Sequence, residues 1–415
     1  MFILVSAARA GDTWPQWRGP LATGAATEAD PPLEWSETKN IKWKAAIPGE
    51  GDSTPIIWGD KVFILTAVPK GGQEVLGKTE TPTQPYQFTV ICFDRKTGKI
   101  LWQKIAREEV PNEGHQQSNT HASASPVTDG ECLIAFFGSH GLYCYDLDGN
   151  LKWQKDFGKM KTRMGFGEGA SAALSGDVVV VPWDHEGEDF VVGLDKHTGK
   201  EIWRQKRNEP TGWTTPLVVD FGGKKQVVLN ASGKVRSYDL LTGEQVWECG
   251  GQTANAIPTP VSANGMIYVT SGFRGSALQA IKLGKTGDLT GTDAIIWHHE
   301  KDTPYVPSPL LSGNLLYVVG GNNAILSCFE AKTGAVQYEH ERLEGIYSIY
   351  ASPVAAKGRI YVLSREGVCV VLKDGAKPEV LAKNKVDDQT DASLAMVGKE
   401  IFLRGHHNIY CISEK

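Results

Sequence analysis

The 415 residues contain no Cys-Cys pair and no CxxC, which removes the zinc-ribbon and thioredoxin-type chemistries that depend on such spacings. There is no basic excess. The 43 Lys and Arg stand against 48 Asp and Glu, a net charge of -5, and an electrostatic nucleic-acid binder needs the opposite sign. The longest plain apolar stretches, such as Met1–Ala8, fall far short of the ~18 residues of a membrane helix. No long window carries a 3.6-residue period, so little helix is expected. G-x-S-x-G is absent, which excludes the α/β-hydrolase nucleophile turn. The glycines of Gly165–Gly169 (GFGEG) are not followed by the helix that a phosphate cradle needs.

What the chain does have is 46 Gly and 12 Trp, the mixture expected of many tight turns between aromatic-anchored strands. An eleven-residue run recurs: CFDRKTGKILW at Cys92–Trp102, GLDKHTGKEIW at Gly193–Trp203, SYDLLTGEQVW at Ser237–Trp247 and CFEAKTGAVQY at Cys328–Tyr338. Cys144–Trp153 is one residue shorter, and Ala280–Trp297 is stretched by an insertion. The Asp accepts hydrogen bonds from turn N–H groups, the Gly supplies a positive φ, and the aromatic at the strand end covers the adjoining unit. Each unit opens on a hydroxyl residue: Thr54, Ser125, Ser171, Thr215, Thr259, Ser308, Ser352 and Ser393, at intervals of 71, 46, 44, 44, 49, 44 and 41 residues.

A period near 44 with about four short strands per unit is the signature of a propeller blade. The expected fold is therefore all-β: a single eight-bladed β-propeller of four-stranded antiparallel blades over residues 40–415. The chain stops soon after Asn408–Ile412, so Asn40–Ala46 (NIKWKAA) is expected to supply the outer strand of the last blade and close the ring, which removes the free sheet edges. Structural docking aromatics are then Trp43, Trp102, Trp153, Trp203, Trp247, Trp297 and Tyr338. The seventh unit is degenerate, with Pro378–Leu381 in place of the aromatic strand. The long first interval is read as a surface loop, Pro69–Gln87. Residues 11–39 form a leader whose Trp14–Pro20 stretch (WPQWRGP) is expected either as an aromatic clasp over the rim or as a loosely packed segment. Residues 1–10, MFILVSAARA, read as the remnant of a signal peptide with a small-residue cleavage site, hence an exported, periplasmic or extracellular protein. The cysteines Cys92, Cys144, Cys328 and Cys411 stand in equivalent positions of different units, pointing the same way, and are expected as small buried hydrophobes rather than disulfide partners.

The Asp/Thr-Gly/Trp run resembles the tryptophan-docking repeat of the PQQ-like (quinoprotein-type) β-propeller family, which includes quinoprotein dehydrogenases and the outer-membrane-assembly lipoprotein BamB. The resemblance covers about residues 40–413. For the enzymes it implies a pyrroloquinoline quinone at the centre of one face, with Ca²⁺, a Trp beneath and, in many members, a vicinal disulfide. That disulfide has no counterpart here, and the long insertions around the enzymes' site are missing as well.

The residues that precede each inner strand are expected to ring the central channel: Asp52, His121, Glu168, Trp213, Asn255, Tyr305, Tyr350 and Asp391. Trp213 is the candidate for stacking a flat ring, and Glu168, Asn255 and Asp391 are candidate oxygen ligands for Ca²⁺. His115 and His121, six apart, match no standard zinc spacing. The adjacent pairs His298-His299 and His406-His407 would point to opposite faces of a strand. No catalytic constellation assembles from the sequence, so the expected function is a non-catalytic, monomeric scaffold with a protein partner. The alternative is a quinone- and Ca²⁺-dependent alcohol or sugar dehydrogenase.

Overall fold

The chain's computed structural model describes residues 11–72 and 79–414. Residues 1–10, where the signal-peptide reading falls, lie outside them. Among the described residues the strands form eight sheets arranged as eight blades, and helix is limited to the two short turns Gly138–His140 and Arg163–Gly165. Among the described residues no helix is long and apolar enough to cross a membrane. The last blade runs Ala395–Val397, Glu400–Arg404, Asn408–Ile412 and then Ile41–Ala46 from the other end of the chain, with Trp43 opposite Cys411. The first-blade loop is shorter than expected. Strands Lys61–Pro69 and Tyr86–Asp94 pair as far as Pro69 opposite Tyr86.

Two repeated devices hold neighbouring blades together. The first is the indole girdle. The Nε1–H of Trp43 donates to Arg95 O, Trp102 to Leu147 O, Trp153 to Lys196 O, Trp203 to Leu240 O and Trp297 to Ala331 O, at 2.7–3.1 Å. Each acceptor lies on the next blade, beside the turn whose glycine lies under the ring. A Cβ on Gly199 would stand 2.6 Å from Trp153, and φ there is +68°. Trp247 departs from the pattern and donates to Gln226 Oε1 of its own blade at 3.0 Å. The insertion in the fifth blade replaces the usual turn there. It packs Leu283, Leu289 and Ala294 into the Trp247 cluster and adds Gly287–Asp288 as a parallel edge strand.

The second device is a ring of hydroxyls around the axis. The N–H of Thr54 donates to Ser125 Oγ, and the bond repeats blade by blade through Ser171, Thr215, Thr259, Ser308 and Ser352 to Ser393 Oγ, at 2.9–3.3 Å. These are the hydroxyl residues that mark the sequence period. Between the last blade and the first, the buried Arg404 guanidinium donates to Leu65 O at 2.5 Å and Ser53 O at 3.4 Å. All seven cysteines are buried and free.

The Trp14–Pro20 stretch does not lie across the rim. Thr13–Trp14 pairs with the innermost strand Ile56–Trp58 of the first blade, and Ala25–Ala26 runs parallel to the innermost strand Val354–Ala356 of the seventh. Between them Arg18, fully buried, donates to Pro309 O at 2.7 Å and Pro353 O at 3.1 Å. Trp14 is fully buried. The segment thus bridges the inner strands of the first and seventh blades, across the eighth blade that lies between them. Further along, Trp35 stacks on Tyr361 at 6.3 Å. Tyr361 has the register held in other blades by Phe63, Tyr268, Tyr317 and Phe402, which face Trp102, Trp297, Tyr338 and Trp43. In the seventh blade the facing position is Ala382, on strand Val380–Lys385, and Trp35 occupies the space an aromatic would fill.

Candidate functional site

The inner strands begin on one face of the ring, and the hydroxyl residues that open them surround a cavity of about 340 Å³ on the propeller axis. Trp17 of the leader also lines it. Its walls are aromatic: Phe166, Trp213, Phe273, Tyr305 and Tyr350. Trp213 is fixed by an Nε1–H bond to Gly167 O at 2.8 Å. Tyr305 stacks on Phe273 at 5.1 Å between ring centres. Asp52 and Asp391 supply the charge of the lining.

Five of the eight residues expected on the channel line this cavity: Asp52, Trp213, Tyr305, Tyr350 and Asp391. The other three do not. His121 and Glu168 line a separate cavity of about 40 Å³ between the second and third blades. Asn255 is buried, and its Oδ1 accepts from Arg163 Nη1 at 3.2 Å. Asn255 has φ +53°, which turns the chain away from the direction an inner strand would take. The proposed oxygen ligands Glu168, Asn255 and Asp391 consequently have different partners and do not converge. Glu168 accepts from Ser139 N at 2.7 Å and Ser139 Oγ at 2.5 Å.

The carboxylates of the axial cavity are held differently. Burial, then repulsion from Asp391, pushes Asp52 up to about 6. Burial also acts to raise Asp391, but the His406 and Arg365 hydrogen bonds outweigh it and hold Asp391 below the usual range. Arg365 donates through Nε at 2.5 Å and Nη2 at 2.9 Å, and the His406 ring approaches at 3.0 Å. His406 thereby belongs to the site, a role its place in an adjacent histidine pair did not signal. Asp52, Asp391 and His406 bring ligand atoms within 4.8 Å of one another. A second group, Glu50, His115 and His121, does the same. Glu50 had no signal in the repeat pattern, and the fold of the 115–121 loop could not be read from spacing.

A bound pyrroloquinoline quinone would bring three carboxylates. The charged side chains lining the cavity are both acidic, and the adjacent Arg365 is already committed to Asp391. The lining is complementary to a cation or to neutral polar groups, and it does not fit that quinone.

A family model described as outer membrane protein assembly factor BamB matches residues 25–164 and 87–340. No curated protein matches the chain significantly. Among solved structures, BamB from Moraxella catarrhalis is 15% identical with TM-score 0.61, covering 90% of this chain and 99% of that one. The quinohemoprotein alcohol dehydrogenase from Comamonas testosteroni is 10% identical with TM-score 0.65, covering 99% and 82%. A europium-containing methanol dehydrogenase is 10% identical with TM-score 0.63, covering 97% and 98%. At these identities the likeness is one of fold.

Proposed function

The chain belongs to the PQQ-like β-propeller family represented by the outer membrane assembly factor BamB, and from that membership we propose that it is an exported, non-catalytic scaffold that takes a protein partner on its axial face. One observation carries the reading: the loops that bring Phe166 and Tyr350 to an aromatic cavity bearing Asp52 and Asp391 also carry Met164 and Tyr347, each 74% exposed. Exposed apolar side chains around an aromatic pocket that carries two carboxylates suit a protein contact. The partner segment that fits offers a Lys or Arg to the two carboxylates and apolar side chains to the surrounding loops. Export rests on the same family description, and the protein works as a monomer.

Photo-crosslinkers placed at Tyr347 and, as a rim control, at Leu241 (68% exposed) test this in cell-envelope extracts. A defined adduct from position 347 that is lost in Asp52→Asn/Asp391→Asn, with none from position 241, is expected. Equal labelling from both positions contradicts the reading. The alternative, a quinoprotein alcohol or sugar dehydrogenase, requires dye-linked turnover after addition of quinone and Ca²⁺.

A further inference from the structure

The loop that leaves the first blade's outer strand Ile100–Glu109 folds back before reaching the inner strand Val127–Thr128. The Asn119 N–H donates to Gln116 O at 2.7 Å, and Asn119 Nδ2 ties the turn to Phe166 O and Glu168 O of the next loop. This reversal brings His115 and His121 together although they are six residues apart, with ring centres 4.6 Å apart and planes at 84°. Glu50 meets them from the segment ahead of the first blade. Its backbone is pinned by a reciprocal pair of 2.9 Å bonds with Ala67.

The three side chains are set as ligands are. His115 Nδ1 lies 3.0 Å from Gln116 O, an acceptor, so Nδ1 donates there and Nε2 is the nitrogen left to face a metal. A histidine bound to a metal through one nitrogen characteristically gives the other N–H to such an acceptor. His115 Nε2 lies 3.5 Å from Glu50 Oε1. Donors bound tetrahedrally at ~2.0–2.1 Å stand about 3.4 Å from one another. His121 Nε2 is buried and has no hydrogen-bond partner. A buried imidazole nitrogen left unsatisfied is costly, and a metal would relieve that cost. Glu50 is oriented by the His121 backbone N–H, which donates to its Oε1 at 3.0 Å. His121 also lines the cavity of about 40 Å³ between the second and third blades.

We propose that Glu50, His115 and His121 form a binding site for a divalent first-row transition metal of the zinc class. Two imidazoles and one carboxylate form a donor set suited to Zn²⁺ and unsuited to Ca²⁺, which takes oxygen ligands. None of the three residues lines the axial cavity itself, although the loop that carries His115 and His121 also borders it through Gln116, Ser118 and Asn119.

The test uses the full chain stripped with chelator and titrated with Zn²⁺, Co²⁺ or Ca²⁺ alone. The expected result is saturable binding of one Zn²⁺, visible absorption from four-coordinate Co²⁺, and no comparable Ca²⁺ response. Glu50→Gln and His115→Gln should each lower Zn²⁺ affinity at least tenfold, while His298→Ala, at an exposed histidine, leaves it unchanged. Circular dichroism identifies any variant that fails to fold, and the wild-type Co²⁺ spectrum decides without variants. Failure of Zn²⁺ to saturate, or equal binding by Glu50→Gln and His115→Gln in folded form, overturns the proposal.

Discussion

At the scale of single residues, placement between blades sets chemistry more than residue type does. Glu168 illustrates this. A free glutamate titrates near 4.5, and burial pushes this one up to about 7, against the opposing pull of its Ser139 hydrogen bonds. Because the folded state holds the proton more tightly than the unfolded chain, the stability tied to Glu168 is fully present below pH ~4.5 and is lost as pH rises through about 7. Glu168→Gln should therefore be more stable than the wild type at pH 8 in urea unfolding, by at most about 3 kcal/mol, with the gap closing at pH 5. A gap independent of pH would contradict the assignment. Gly199 makes a second case. Its φ of +68° and the Trp153 ring 2.6 Å from a Cβ make Gly199→Ala costly by about 2 kcal/mol, measured by urea unfolding. The repeated Thr-Gly pairs signalled the turn. That the glycine also seats the neighbouring blade's indole was not legible, since it depends on contacts between units.

At the scale of elements, the strands were readable because each unit repeats the same order of hydroxyl opening, apolar strand and aromatic ending. The leader was not. Thr13–Trp14 and Ala25–Ala26 join the inner strands through two-residue backbone pairings, and such pairings leave no periodic trace in side chains. The substitution of Trp35 for a missing docking aromatic was hidden for the same reason. In sequence the seventh unit simply lacks one, and the partner that fills the gap stands more than 300 residues earlier. Trp35→Ala should cost about 3–5 kcal/mol, as removal of a buried Trp does, and adding Ala382→Trp should restore part of it. Additive losses in that pair would show that the two positions do not share one space. The axial ring was read only in part. Inner-strand starts predict direction well for Asp52, Trp213, Tyr305, Tyr350 and Asp391, while Asn255 and the loops carrying His121 and Glu168 turn aside before the axis.

At the scale of the whole molecule, both ends of the chain meet in the last blade, through Ile41–Ala46 beside Asn408–Ile412. Ring closure leaves no open sheet stack and holds the hydroxyl ring at a fixed circumference. That circumference sets the axial cavity, whose charged lining is Asp52 and Asp391, and we propose that this acidic lining does not take a quinone. Titration of the full chain with pyrroloquinoline quinone in the presence of Ca²⁺, followed both by calorimetry and by dye-linked oxidation of alcohols and sugars, tests that claim most directly. The account predicts no saturable quinone binding and no turnover. Stoichiometric binding that is abolished by Trp213→Ala and accompanied by turnover would contradict it.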